Sequence, residues 1–281
     1  MKRKHLTTIL LLLMFFVGLS LLLYPSVSNW WNSKVQTRAV ATYEAAVADL
    51  SEADFESYYE AAAAYNEALY ALGSATALIY PEVLDGYEET LDITGTGIMG
   101  YVTIEKIDVL LPIYHGTDSS VLAVGAGHLE GSSLPVGGES THSVLSAHRG
   151  LPSATLFTHL DRLEVGDRFT ITILDEVLTY EVDQISIVLP DELEHLYIEE
   201  GEDYCTLMTC TPYGINTHRL LVRGTRVETE ETQLRVAAEA YQVEPMIVAP
   251  VLALPMLVIL LVWILTGARR RKKQEADFDE E

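Results

Sequence analysis

A chain of 281 residues that is 49% hydrophobic is long enough for one domain with a substantial core plus additional segments. Its formal charge of −23 sets 41 Asp and Glu against 18 Lys and Arg, which argues against a nucleic-acid partner, because phosphate binding needs clustered cations. Two cysteines are too few for a disulfide framework.

The chain opens on Lys2, Arg3 and Lys4, followed by an uncharged apolar run from Leu6 to Tyr24. A second uncharged apolar run covers Met246 to Thr266 and is followed by Arg269, Arg270, Arg271, Lys272 and Lys273. Each run approaches the ~20 residues that cross a bilayer as a helix. Pro250 and Pro255 in the second are tolerated better in a membrane helix than in a soluble one. Basic flanks stay on the cytoplasmic side. Both termini are therefore expected in the cytoplasm, with the segment between the runs outside the membrane. The first run is expected to be an uncleaved anchor. The alternative is a cleaved signal, but its apolar stretch is long and Tyr24-Pro25-Ser26-Val27-Ser28 is a poor cleavage site.

Val35 to Leu72 is rich in Ala, Glu and Tyr and holds no Gly or Pro, which predicts helix. Two arrangements are open: a stalk, or a helical pair packed on the following domain. From Gly95 the texture changes. Short β-rich runs follow at Tyr101–Ile104, Val109–Tyr114, Ser143–Ser146, Phe169–Leu174, Leu178–Val188, Tyr204–Thr209 and Arg219–Val227, separated by turn residues. This pattern predicts an antiparallel barrel or sandwich.

The boundaries expected are a cytoplasmic tail and anchor at 1–24, a helical region at 25–95, a catalytic β domain at 96–228, a linker at 229–245, a second transmembrane helix at 246–266, and a charged tail at 267–281.

Cys205 and Cys210 sit five residues apart. On an extended strand that is about 17 Å, with the two side chains on opposite faces, out of disulfide reach. Cys210 ends an alternating run before Pro212 and Gly214, at a strand terminus beside a loop. Two readings compete there: a nucleophile, or a buried small hydrophobe. Arg219 and Arg223 lie on the next run. A cation beside the thiol favours thiolate and can donate to an oxyanion. His148 ends another short run before Gly150 and Pro152, where an imidazole can act as acid and base. His115, His128, His142, His159, His195 and His218 carry the plainer reading of satisfied turn or surface residues.

The segment from Thr206 through Thr209-Cys210-Thr211-Pro212-Tyr213-Gly214 to Arg219 and Gly224 closely resembles the active-site region of sortases, most of all the pilus-assembling class C. The resemblance extends through Leu111 to Thr117, Gly127 to Pro135 and Thr141 to Pro152, covering roughly residues 97–228. It implies a mainly β fold: a sortase-like eight-stranded barrel with an N-terminal helical region and two flanking transmembrane helices. It implies Cys210 as nucleophile, His148 as general acid and base, and Arg219 as the oxyanion or substrate-orienting residue, with neither metal nor organic cofactor.

The implied reaction cleaves an LPxTG-like sorting signal, leaves a thioester on Cys210 and passes the acyl group to a pilin Lys. The implied partners are pilin or surface proteins carrying such signals. The alternatives are transfer to a cell-wall precursor, or hydrolysis as in a cysteine protease. One departure stands out. Class C sortases often carry a lid with an Asp-Pro-aromatic motif, and no such tripeptide precedes Gly97 here. Tyr80 and Tyr87 are the aromatic side chains that remain available as a plug.

Overall fold

The structure is a computed structural model that describes residues 2–229. The second apolar run, nearly all of the linker before it and the charged tail after it lie outside the described residues.

Helix α1 (Lys2–Ala48) is a single helix of 47 residues with Pro25 inside it, so the expected boundary between residues 24 and 25 is not a break. At 1.5 Å per residue it is about 70 Å long. Its two halves live in different surroundings. In the first half Leu10, Leu11, Leu13, Met14, Phe15, Phe16, Leu21 and Leu22 are all exposed, an uncovered apolar surface that water disfavours. The second half packs on the barrel. Val40, Tyr43 and Val47 form an apolar cluster with Ile98 and Tyr101. The Tyr43 hydroxyl donates to the Met99 carbonyl at 2.8 Å and accepts from the Leu174 amide at 2.8 Å.

The helical stretch expected from Val35 to Leu72 is interrupted at Asp49–Leu50, and α2 runs Glu52–Leu72. The cause is local. Ser51 caps α2, its hydroxyl accepting from the Asp54 amide while the Asp54 carboxylate accepts from the Ser51 amide. Of the two arrangements left open, the packed helical pair is the one observed. Ala62, Tyr65, Asn66 and Leu69 of α2 are buried at three- and four-residue spacing. The Asn66 side chain donates to the Leu134 carbonyl (3.1 Å) and accepts from the Leu134 amide (2.7 Å), so one amide satisfies both backbone groups of a buried residue. A short helix, α3 (Ser74–Ile79), follows and touches the loop after β3. A Cβ on Gly131, whose φ is +86°, would stand 2.3 Å from the Ala77 carbonyl oxygen.

The barrel strands are β1 (Ile98–Ile104), β2 (Val109–His115), β3 (Ala126–His128), β4 (Thr141–Ser146), β5 (Arg168–Ile173), β6 (Glu176–Val188), β7 (Asp203–Thr211) and β8 (His218–Val227). They close in the order β1-β2-β3-β4-β7-β8-β6-β5, and β5 pairs back to β1. The eight-stranded barrel is thus as expected, but it is not wholly antiparallel: β2 with β3 and β4 with β7 are parallel. The three-residue β3 was absent from the predicted strands, being too short to show alternation. Inside lies one continuous core that includes Met99, Ile113, Leu145, Phe157, Ile171, Tyr180, Cys205, Leu207 and Val222.

Three histidines expected at turns or on the surface are structural and buried: His115, whose ring nitrogens lie 3.0 Å from the Gly97 carbonyl and 2.8 Å from the Thr90 carbonyl, His128 and His142. His128 donates from Nε2 to the Ser133 carbonyl at 2.8 Å, which leaves Nδ1 to accept from the Tyr87 hydroxyl at 2.9 Å. His142 donates from Nδ1 to the Tyr197 carbonyl at 2.9 Å, and its Nε2 accepts from the Thr206 hydroxyl at 2.7 Å. Burial pushes the His128 and His142 imidazoles down to about 4 from 6.5.

Two outcomes follow. Replacing Asn66 with Ala leaves the buried amide and carbonyl of Leu134 without partners, and should lower unfolding free energy by about 2–4 kcal/mol in urea titrations of the full chain. Stability should also fall as pH drops from about 6.5 toward 4, because the unfolded chain takes up protons that buried His128 and His142 refuse. Each contributes up to roughly 3 kcal/mol across that window, and His142→Gln should flatten part of the slope of urea midpoint against pH.

Candidate active site

The site is built at one edge of the barrel by the parallel pairing of β4 with β7. The register runs from Thr141↔Asp203 to Ser146↔Met208. Past the last pair the strands stay tied. The Ala147 amide donates to the Met208 carbonyl at 3.1 Å, and the Thr209 hydroxyl donates to the Ala147 carbonyl at 2.8 Å. Two more residues in that register bring His148 level with Cys210. On the other side of β7, Cys210 is the direct partner of Arg219 in the antiparallel pair with β8. Opposed residues in such a pair share a face with their Cβ atoms about 5 Å apart. The three residues singled out in the sequence therefore gather at one edge, each half-buried.

Alternation settles which thiol is which. On β7, Tyr204, Thr206, Met208 and Cys210 share one face, while Cys205, Leu207, Thr209 and Thr211 share the other. Cys205 is fully buried in the core, and burial pushes its thiol well up. Cys210 is the partly accessible one.

The two arginines left open on β8 also separate. Arg223 is engaged. It donates to Asp183 at 2.7 and 3.1 Å and to Glu199 at 3.3 Å, and it stacks 4.0 Å over the Tyr204 ring. Arg219 has no carboxylate partner among the described residues. Its Nη1 reaches only the backbone carbonyls of Asn216 (3.4 Å) and His218 (3.2 Å). A guanidinium held this loosely keeps donors free for a group that arrives at Cys210.

Below the three, the same outer face carries a small apolar cluster. Val144, Val188, Leu196 and Leu221 are buried there, with Leu78, Leu129, Leu193 and Met208 packed against them. Leu193 and Leu196 belong to the segment between β6 and β7, which His142 holds through the Tyr197 carbonyl. Their signal in the sequence was weak: isolated apolar residues among Asp191, Glu192 and Glu194. Leu78 comes from α3, so the helical region contributes an aliphatic side chain to this cluster. Neither candidate aromatic plug takes that place. Tyr87 is built into the fold, accepting from the Gly116 amide at 2.9 Å and contacting His128, and Tyr80 is exposed.

The loop after His148 is pinned at several points. The Phe157 amide donates to the His148 carbonyl at 3.2 Å, and the Gly150 amide donates to the Thr158 hydroxyl at 3.1 Å. Arg149 pairs with Asp161 at 2.5 Å, donates to Thr211 at 3.4 Å and lies 5.9 Å from the centre of the Tyr213 ring. Tyr213 in turn covers Gly150, where a Cβ would meet its ring at 2.9 Å. From α1, Asn29 Oδ1 accepts from both the amide and the hydroxyl of Thr155 (2.8 Å each), and the Asn32 side chain donates to the Ser153 carbonyl at 2.7 Å. Sequence reasoning missed this support, because nothing local marks an Asn at residue 29 as the partner of residue 155. Among the described residues, no three His, Cys, Asp or Glu side chains converge to hold a metal ion.

Comparison with known proteins matches residues 102–227 to the Sortase domain family. Among solved structures, sortase C1 from Streptococcus agalactiae superposes with a TM-score of 0.65 at 52% identity, covering 69% of this chain and 100% of that one. Sortase C from Streptococcus pneumoniae gives a TM-score of 0.61 at 43% identity, covering 68% of this chain and 97% of that one. Of curated proteins, sortase D of Bacillus subtilis is 33% identical over 131 residues, 46% of this chain and 63% of that protein. Sortase A of Streptococcus agalactiae is 29% identical over 137 residues, 48% of this chain and 55% of that protein. The chain thus spans less than two thirds of these curated relatives, whereas it covers the solved class C structures almost end to end. The chain belongs to the sortase family and is class C-like within it.

Proposed function

We propose that the chain is a membrane-anchored cysteine transpeptidase of the pilus-assembling kind. The observation that carries the reading is the cross-strand pairing of Cys210 with an uncommitted Arg219, with His148 arriving from the parallel strand on the other side.

In this reading the Cys210 sulfur attacks the Thr carbonyl carbon of an LPxTG-like sorting signal. Arg219 donates hydrogen bonds to the resulting oxyanion. The C–N bond breaks as His148 passes a proton to the departing amine, leaving a thioester. A Lys amine of a second pilin subunit then attacks, gives its proton to His148, and expels the thiolate as an isopeptide bond forms. The apolar cluster of Val144, Leu221, Met208 and Leu78 supports the strands beneath Cys210 and Arg219 from their outer face.

Two of the similar structures bear on the acceptor: one is described as sortase C1 of a pilus island, and the pneumococcal one is described for pilin substrate specificity. The sortase A relatives keep transfer to a cell-wall precursor as the second reading. For anchoring, the exposed apolar half of α1 behind Lys2, Arg3 and Lys4 supports a span that leaves the barrel outside the cytoplasm.

The test supplies the full chain in detergent micelles with an LPxTG-type peptide and a pilin bearing an acceptor Lys. Covalent ladders are expected, and Cys210→Ala should abolish both ladders and thioester. Arg219→Ala should lower kcat by about 10²-fold with little change in KM, as the loss of an oxyanion donor does. Arg219→Lys should restore only part, since it keeps the charge and loses the fork. Transfer to a cell-wall amine without ladders supports the second reading, and hydrolysis with every amine tried overturns both.

A further inference from the structure

We propose that the barrel edge carrying Cys210 and His148 rests on the lipid headgroup layer, with Tyr213 and Ile215 forming a second apolar contact beside the α1 anchor. The inference rests on the reading of the first half of α1 as a membrane span.

The apolar run ends at Tyr24, and Asn29 follows five residues later, about 8 Å further along the helix. Trp30 and Trp31 come next, the residue type that settles at headgroup level, and Trp31 is 64% exposed. Asn29 is therefore at the membrane–water boundary. Its side chain takes two hydrogen bonds from Thr155, and Asn32 holds Ser153. Residues 153–155 consequently sit at that boundary too. They belong to the loop that leaves His148, whose carbonyl is tied to Phe157.

The same loop meets the β7–β8 connection, with Gly150 under the Tyr213 ring and Arg149 beside it. That connection carries Tyr213 and Ile215 at 61% and 66% exposure. Two large apolar side chains on a loop tip are costly in water, and favourable when they enter the headgroup–acyl boundary. The loop held by Asn29 and Asn32 links this surface to α1, and that link to the anchor selects lipid as its occupant. Higher on α1, Tyr43 holds Leu174 about 28 Å beyond Tyr24, so the β5–β6 turn stands clear of the bilayer. Lys34, exposed about 8 Å beyond Asn29, suits phosphate headgroups despite the acidic chain.

The experiment uses the full chain in phosphatidylcholine vesicles, with Cys210→Ala and a nitroxide on Ile215→Cys; buried Cys205 stays unlabelled. A control carries the label on Glu176→Cys. Power saturation compares access to oxygen with access to a water-soluble nickel chelate. The oxygen-to-nickel ratio at 215 is expected to be several-fold above that at 176, and Asn29→Ala with Asn32→Ala should lower it while the chain still floats with the vesicles. Equal ratios at 215 and 176 in floating protein overturn the proposal alone. An immobilised but water-accessible label at 215 also overturns it, and indicates a protein partner on the loop. Failure to float overturns the membrane reading on which it rests.

Discussion

The site depends on the parallel pairing of β4 with β7. Antiparallel neighbours joined by a tight turn place the end of one strand beside the start of the next. Parallel neighbours place two strand ends together, at the cost of a long crossover. Here the crossover from Ala147 to Glu202 includes the whole β5–β6 hairpin. What it gains is a single barrel edge to which β4 delivers a histidine and β7 a cysteine. The ties from Ala147 to Met208 and Thr209 carry the register past the end of β4, so the two side chains do not depend on a loose loop.

This division explains how much was legible in the residues. The Cys210–Arg219 relation was within reach, because β7 and β8 are joined by six residues and their pairing is local. Local pattern alone left Arg219 and Arg223 both open and family resemblance named Arg219; the carboxylates that engage Arg223, Asp183 and Glu199, come from elsewhere in the chain. His148 was singled out by its loop and by family resemblance; its position beside Cys210 depends on a partner strand some sixty residues away. The opposite facing of the two thiols was legible from parity alone. The Ser51 cap was also written locally, in Ser51 and Asp54, and the uniform Ala-rich composition around it obscured the break. The structural roles of His128 and His142 depend on Tyr87, Ser133, Tyr197 and Thr206, a set no spacing rule assembles.

Helix α1 is more than a tether. One helix runs from an exposed apolar half to a half whose Tyr43 joins β1 to the turn after β5. A continuous helix transmits orientation, so the barrel's attitude follows that of the apolar half. Asn29 and Asn32 add a contact with the loop that follows His148, which ties the geometry of that barrel edge to the point where the chain leaves the apolar run.

The inward orientation of Cys205 has a consequence for redox chemistry. An accessible thiol that meets an oxidant is trapped as an internal disulfide when a second accessible thiol lies within reach. With Cys205 sealed in the core on the opposite face of the strand, Cys210 has no resolving partner within the described residues. A sulfenic acid on Cys210 then has two fates: capping by an external thiol as a mixed disulfide, which exchange with a reductant reverses, or further oxidation to the irreversible sulfinic and sulfonic acids. The burial that makes Cys205 inert keeps Cys210 out of an internal disulfide and leaves external thiols as its protection against irreversible oxidation.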